Sequence, residues 1–201
     1  TATISMLAQP ASPSCPPAYD ALRILRRSVC WGADCTLEFN EIEVDNIVFG
    51  HRKVSLKGTG LFNYREGHSA NVEVTYNGKA SKKAVPIPFM EILEGKADRF
   101  AEDSFDLRWQ NSHTIVLKID KKPTLPSVND MLKFVVGYHD LDLETTSSCE
   151  ILFDTKSEDI VGVDNIVIEG KASYLGVPGT IRATGKMTFY CWHKPFSIYP
   201  E

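Results

Sequence analysis

The sequence predicts a mainly β protein, an antiparallel β-sandwich or partly open barrel with one N-terminal and one internal short α-helix. Three observations predict it. From Cys35 onward, apolar and polar residues alternate with the period of two that a pleated strand imposes, as in Val54-Ser55-Leu56 and Val72-Glu73-Val74. One such run ends in Asn77-Gly78, and both residues tolerate the positive φ of a type I′ hairpin turn. The pentapeptide Val-Asp-Asn-Ile-Val occurs twice, at 44–48 and at 163–167, each time after a Cys-led apolar run and ahead of a hairpin-like stretch.

The elements follow in order. Residues 1–17 read as a flexible arm, because Pro10, Pro13, Pro16 and Pro17 are set among Ser and Ala without a signal peptide's basic start or apolar centre. A chain that opens at Thr1 is expected of a processed protein or of a piece of a longer one. Tyr19, Leu22, Leu25 and Arg26 have helical spacing, and Pro17 stands where a first turn tolerates proline. Strands then run through Leu37, Phe39 and Ile42, through Val54 and Leu56, through Leu61 to Tyr64, and through Val72, Val74 and Tyr76. The apolar run Ile47-Val48-Phe49 reaches Gly50 between the first two. Val85, Ile87 and Phe89 form a further strand, which Pro86 and Pro88 make an edge or a bulged segment because proline cannot donate to a ladder.

Residues 105–109 and 114–119 form a hairpin across Asn111-Ser112. Residues 127–136 read as a helix, with Ser127 as N-cap, Asp130 completing a capping box and Gly137 beyond the end. Strands return at 138–143, 149–153, 160–169 and 181–191, with Pro178-Gly179 in a turn. Over Cys35 to Gly137, many strands followed by a helix from Ser127 resemble the element order of pleckstrin-homology-like barrels. Residues 18–201 therefore make one β-rich globular domain. The repeated pentapeptide leaves open a duplication, with β units at 35–137 and 138–201.

A hydrophobic fraction of 43% and a charged fraction of 24% are those of an ordinary globular chain. No apolar run approaches the length of a membrane helix, so no membrane span is expected. The net charge is −4, and its distribution is uneven. Residues up to Gly137 hold 17 basic and 16 acidic side chains, and the remainder hold 5 and 10. That argues against nucleic acid, which needs concentrated positive charge. Five cysteines at irregular spacing suit buried thiols in a reducing compartment, and no glycosylation sequon occurs. An intracellular location is thus favoured over a secreted one, for which Cys149–Cys191 or Cys30–Cys35 would be the bonded pairs. Cys30 and Cys35 have no second pair or nearby His to complete a zinc site.

Candidates for chemistry are few. Asp140, Asp142 and Glu144 would share one face of a strand, but too far apart along it for a calcium loop. Asp45-Asn46 and Asp164-Asn165 fit turns, calcium ligands or sugar contacts. Glu102, Asp103 and Asp106 could supply a general acid and base, although they lie in a polar stretch. His51, His68, His113, His139 and His193 are scattered. Trp31, Trp109, Trp192, Tyr64, Tyr138, Tyr174 and Tyr190 offer aromatic surface for a sugar or peptide, and core packing accounts for them as well.

The expectation is a non-catalytic interaction module, without cofactor or metal, that binds a protein partner through an exposed sheet edge or groove. Its candidate binding residues are Asp45, Asn46, Asp164, Asn165, Trp109 and Tyr64. A secreted carbohydrate-binding β-sandwich is the alternative, and a hydrolase using Glu102 or Asp106 comes third.

Overall fold

The computed structural model describes residues 33–63, 67–86 and 106–190. The expected N-terminal helix, Tyr64, Glu102, Asp103, Cys191, Trp31 and Trp192 lie outside the described residues. The elements are β1 (Ala33–Asn46), β2 (Gly50–Asn63), β3 (Gly67–Tyr76), β4 (Lys79–Pro86), β5 (Asp106–Trp109), β6 (Thr114–Pro123), α1 (Pro126–Val136), β7 (Leu141–Asp154), β8 (Asp159–Tyr174) and β9 (Gly179–Tyr190). The strands form one sheet in the order β4-β3-β2-β1-β9-β8-β7-β6-β5, antiparallel throughout and not closed on itself. This lies within the sandwich-or-open-barrel class that alternation predicts.

Most neighbours are joined in sequence, but the first strand also pairs with the last. β1 runs against β9 from Asp34 opposite Tyr190 to Asn46 opposite Gly179. That ladder and the one between β6 and β7 merge residues 35–137 and 138–190 into a single sheet. The two pentapeptides occupy different places in it. The first ends β1 and enters the turn at 47–49, whereas the second lies within β8 at a bulge.

One face of the sheet is greasy. Leu37, Phe39, Ile42 and Val44 of β1, Val54 and Leu56 of β2, Ile115 and Leu117 of β6, and Ile166 and Ile168 of β8 are all buried in one cluster. α1 lays Val128, Met131, Leu132, Val135 and Val136 into the same cluster, the spacing of a single helical face. The helix touches β2 and β4 near one end of the strand order and β7 towards the other. The sheet therefore curls around the helix.

Bulges permit the curl. The register of β1 shifts between Phe39 and Ile42, so both side chains point inward despite an odd spacing. β8 shifts between Val163 and Ile166 on the opposite side of β9. Between them lies Gly185, where an added Cβ would come within 2.6 Å of the Phe39 ring. Phe39 fills the space that a side chain would take.

Several local expectations need correcting. α1 starts with Pro126 after the extended residue Leu125, so Ser127 is not the N-cap and no capping box with Asp130 forms. Proline presets the first helical φ and keeps the residue before it extended, which fixes the start one position early. The helix ends as expected at Gly137, with φ 85° and its N–H on the Lys133 carbonyl at 3.0 Å. Residues 138–140 form a turn, and β7 begins at Leu141. Ile47-Val48-Phe49, the run between the first two expected strands, is the β1–β2 turn. The last described strand at this end, β4, starts at Lys79 and includes Val85 and Pro86, while Ile87 and Phe89 of the expected edge segment lie outside the described residues. Asn77-Gly78 makes the expected hairpin turn, with φ 49° and 73°.

Candidate functional site

Three surfaces merit comparison. The first is the end of the sheet where the β1–β2 and β8–β9 turns meet. Asn46 is buried there and ties the turns together. Its Nδ2 donates to the Ala172 carbonyl at 3.2 Å and to the Val177 carbonyl at 2.9 Å, while its Oδ1 accepts from the Val48 N–H at 3.0 Å. Asp45 instead faces outward against His51 at 2.7 Å. Beyond this clamp the turns expose Ile47 (87%), Val48 (49%) and Leu175 (72%). Behind them Phe49 stacks on Tyr138 at 4.2 Å, and Arg52 lies 4.5 Å from the ring centres of Tyr76 and Tyr138. The Arg52 guanidinium also donates to the Val136 carbonyl at the end of α1, at 2.8 Å.

The second surface is the β8 bulge. Asn165 adopts φ 48° and donates to the Glu150 carboxylate at 3.2 Å, which also accepts from Arg108 at 3.0 Å. Arg108, then burial in opposition, then Asn165 set the Glu150 carboxyl below its ordinary range. A depression of about 310 Å³ on the outer face is lined by Asp164, Asn165, Glu38, Asn40, Thr184 and Lys186. The two predicted Asp-Asn pairs thus lie in different settings, a turn end and a strand bulge.

The third surface is the β4 end of the sheet. Lys57, Glu73 and Lys82 stand in one cross-strand row on β2, β3 and β4. A groove of about 590 Å³ lies beside them, lined also by Thr59, Asn71, Lys83 and Ala84. Gly58 lets the strands close up here, since a Cβ would run into the Asn71 carbonyl oxygen. Lys83 turns towards the helix, with its ammonium 5.5 Å from the Phe134 ring centre.

Charge pairing separates this surface from the rest of the outer face. Elsewhere Lys53 reaches Glu41 and Glu43 at 3.2 and 3.3 Å, Lys121 reaches Glu169 at 2.7 Å, Lys171 reaches Glu144 at 3.8 Å and Lys186 reaches Glu38 at 3.8 Å. Lys57, Lys79 and Lys82 have no ion pair among the described residues. The lysine signal was in the sequence at Lys79, Lys82 and Lys83, but it marks a site only once Lys57 is folded beside it.

Among the described residues the remaining candidates stand apart from one another. Trp109 is half-buried and packs against the core. Asp142 and Glu144 are exposed on β7, while Asp140 lies in the preceding turn. Cys149 is a buried free thiol whose pKa burial, aided by the Glu150 charge, pushes up to about 12. It is inert as a nucleophile at neutral pH. Among the described residues no three His, Cys, Asp or Glu side chains are grouped to hold a metal ion. No helix among them is long and apolar enough to cross a membrane. Comparison of the chain with family models, curated proteins and solved structures finds no match.

Proposed function

We propose that the chain is a non-catalytic interaction module that docks a protein partner on the β4 edge and the lysine-lined groove beside it. The observation that carries this reading is that Lys57, Lys79 and Lys82 have no ion pair among the described residues, on and beside the last described strand of the sheet, whereas most other described cations have carboxylates. Sheet edges recruit partners through backbone hydrogen bonds, and neighbouring charges select among them. Lysines also guard edges against aggregation, but guarding an edge does not require the groove. The free, buried Cys149 supports a location inside the cell.

Quantitative affinity capture tests the proposal. The wild-type chain should retain specific proteins that a Lys57→Glu/Lys82→Glu variant loses. Identical capture by both, or turnover abolished by a single polar substitution, would refute it. A second reading rests on the β8 depression, whose Asp164, Asn165, Asn40 and Thr184 suit the hydroxyl groups of a carbohydrate. On a glycan array this reading expects binding that Asp164→Ala removes.

A further inference from the structure

Resting on the docking edge just proposed, we infer that its occupant is an extended acidic protein segment that adds to β4 as a tenth strand. Among the described residues β4 pairs only with β3. No described strand lies on its other side, where backbone N–H and C=O groups make the template that a further strand satisfies. The outward side chains of β4 are Ala80, Lys82 and Ala84, opposite Thr75, Glu73 and Asn71. All three β4 residues are exposed. The alanines leave room on both sides of Lys82, so an added strand fits larger side chains opposite them. A carboxylate opposite Lys82 makes a cross-strand charge pair.

Electrostatics favours an acidic segment locally, not globally. The whole chain carries −4 and does not draw an acidic partner by its net charge. β4 carries Lys79, Lys82 and Lys83 and no acidic residue, with Lys82 on the outer face in the row of Lys57 and Glu73, and Lys79 and Lys83 at alternate positions on the other face. Attraction is therefore focused at the edge. A strand points every second side chain to one face, so the recognised pattern is acidic residues at alternate positions, not a continuous acidic run. A nucleic-acid strand would gain the charge without the ladder hydrogen bonds, which makes the peptide the better fit.

Fluorescence anisotropy of a labelled short peptide alternating Glu and Val, with amide exchange read at β4, tests the assignment. The peptide should bind the full chain and protect alternate β4 amides. A scrambled peptide with its acids in one run should bind at least about tenfold more weakly. Lys82→Glu should lose the acidic peptide and gain the version carrying Lys in place of Glu. Equal binding of alternating and scrambled peptides, unprotected β4 amides, or an oligonucleotide binding more tightly than the peptide would overturn the inference. If the peptides fail while the charge-reversed variant still loses partners in capture, only the chemistry of the occupant is wrong. If capture is also unchanged, the docking edge itself is wrong.

Discussion

Asn46 shows how much one side chain can hold. Its amide serves a carbonyl of β8, a carbonyl of the β8–β9 turn and an N–H of the β1–β2 turn. Asn46→Ala strands those buried groups, so unfolding in denaturant should show a loss of about 1–3 kcal/mol. An unchanged midpoint would mean the turns are tied elsewhere. Leu175 is a different case, because a leucine at φ 50° carries backbone strain and its side chain is mostly exposed. Leu175→Gly should raise the midpoint, by up to about 1 kcal/mol after the entropy of the unfolded glycine is counted. The Asp45-Asn46 pair was legible as a turn signal. The carbonyl partners of Asn46, on Ala172 and Val177, were not, since they lie more than a hundred residues away and pair only once β1 meets β9.

Glu150 gives the residue scale a pH dependence. Its carboxyl lies below the ordinary range because Arg108, and then Asn165, stabilise the charged form. The folded chain therefore binds that proton more weakly than the unfolded chain. The stability so gained is complete above the usual glutamate pKa of about 4.3 and is lost as pH falls through the depressed value. Glu150→Gln should flatten this part of the acid-unfolding profile, followed by circular dichroism between neutral and acid pH. An unaltered profile would remove the Arg108–Glu150 pair from the account.

At the scale of elements, the period of two identified most strands, and departures from it mark the bulges. Leu37, Phe39 and Ile42 break strict alternation because the β1 register shifts between the last two. No sequence rule separates such a step from a strand end. Ile47-Val48-Phe49 is the converse case. Its apolar side chains suit a strand, but Gly50 at φ 78° and the Asn46 bond to Val48 close a turn there instead. Gly185 is the element-scale counterpart of Asn46, since Phe39 occupies its missing side chain's space. Gly185→Ala should cost about 1–3 kcal/mol through overpacking. In α1, Met131 is fully buried against the sheet, and Met131→Ala should cost about 2–5 kcal/mol. Thermal or denaturant unfolding reads both.

At the scale of the molecule, alternation foretold an antiparallel β fold but not the single curled sheet. That outcome depends on pairing the first described strand with the last, a contact between distant segments that local patterns do not encode. The docking surface was equally hidden. Lys57 and Lys82 become neighbours through Glu73 only when β2, β3 and β4 align. Sequence could single out the lysines near Lys79 and the prolines after them, yet solvated surface was the better account of such a charge cluster.

The central claim is that β4 offers an open edge to a partner, and residue-resolved amide hydrogen exchange on the free chain tests it most directly. β1 and β9, paired on both sides, should exchange slowly along their lengths. On β4, protected amides facing β3 should alternate with fast ones facing outward. Uniform protection along β4 in the absence of any partner would show that its edge is already covered, and would contradict the claim.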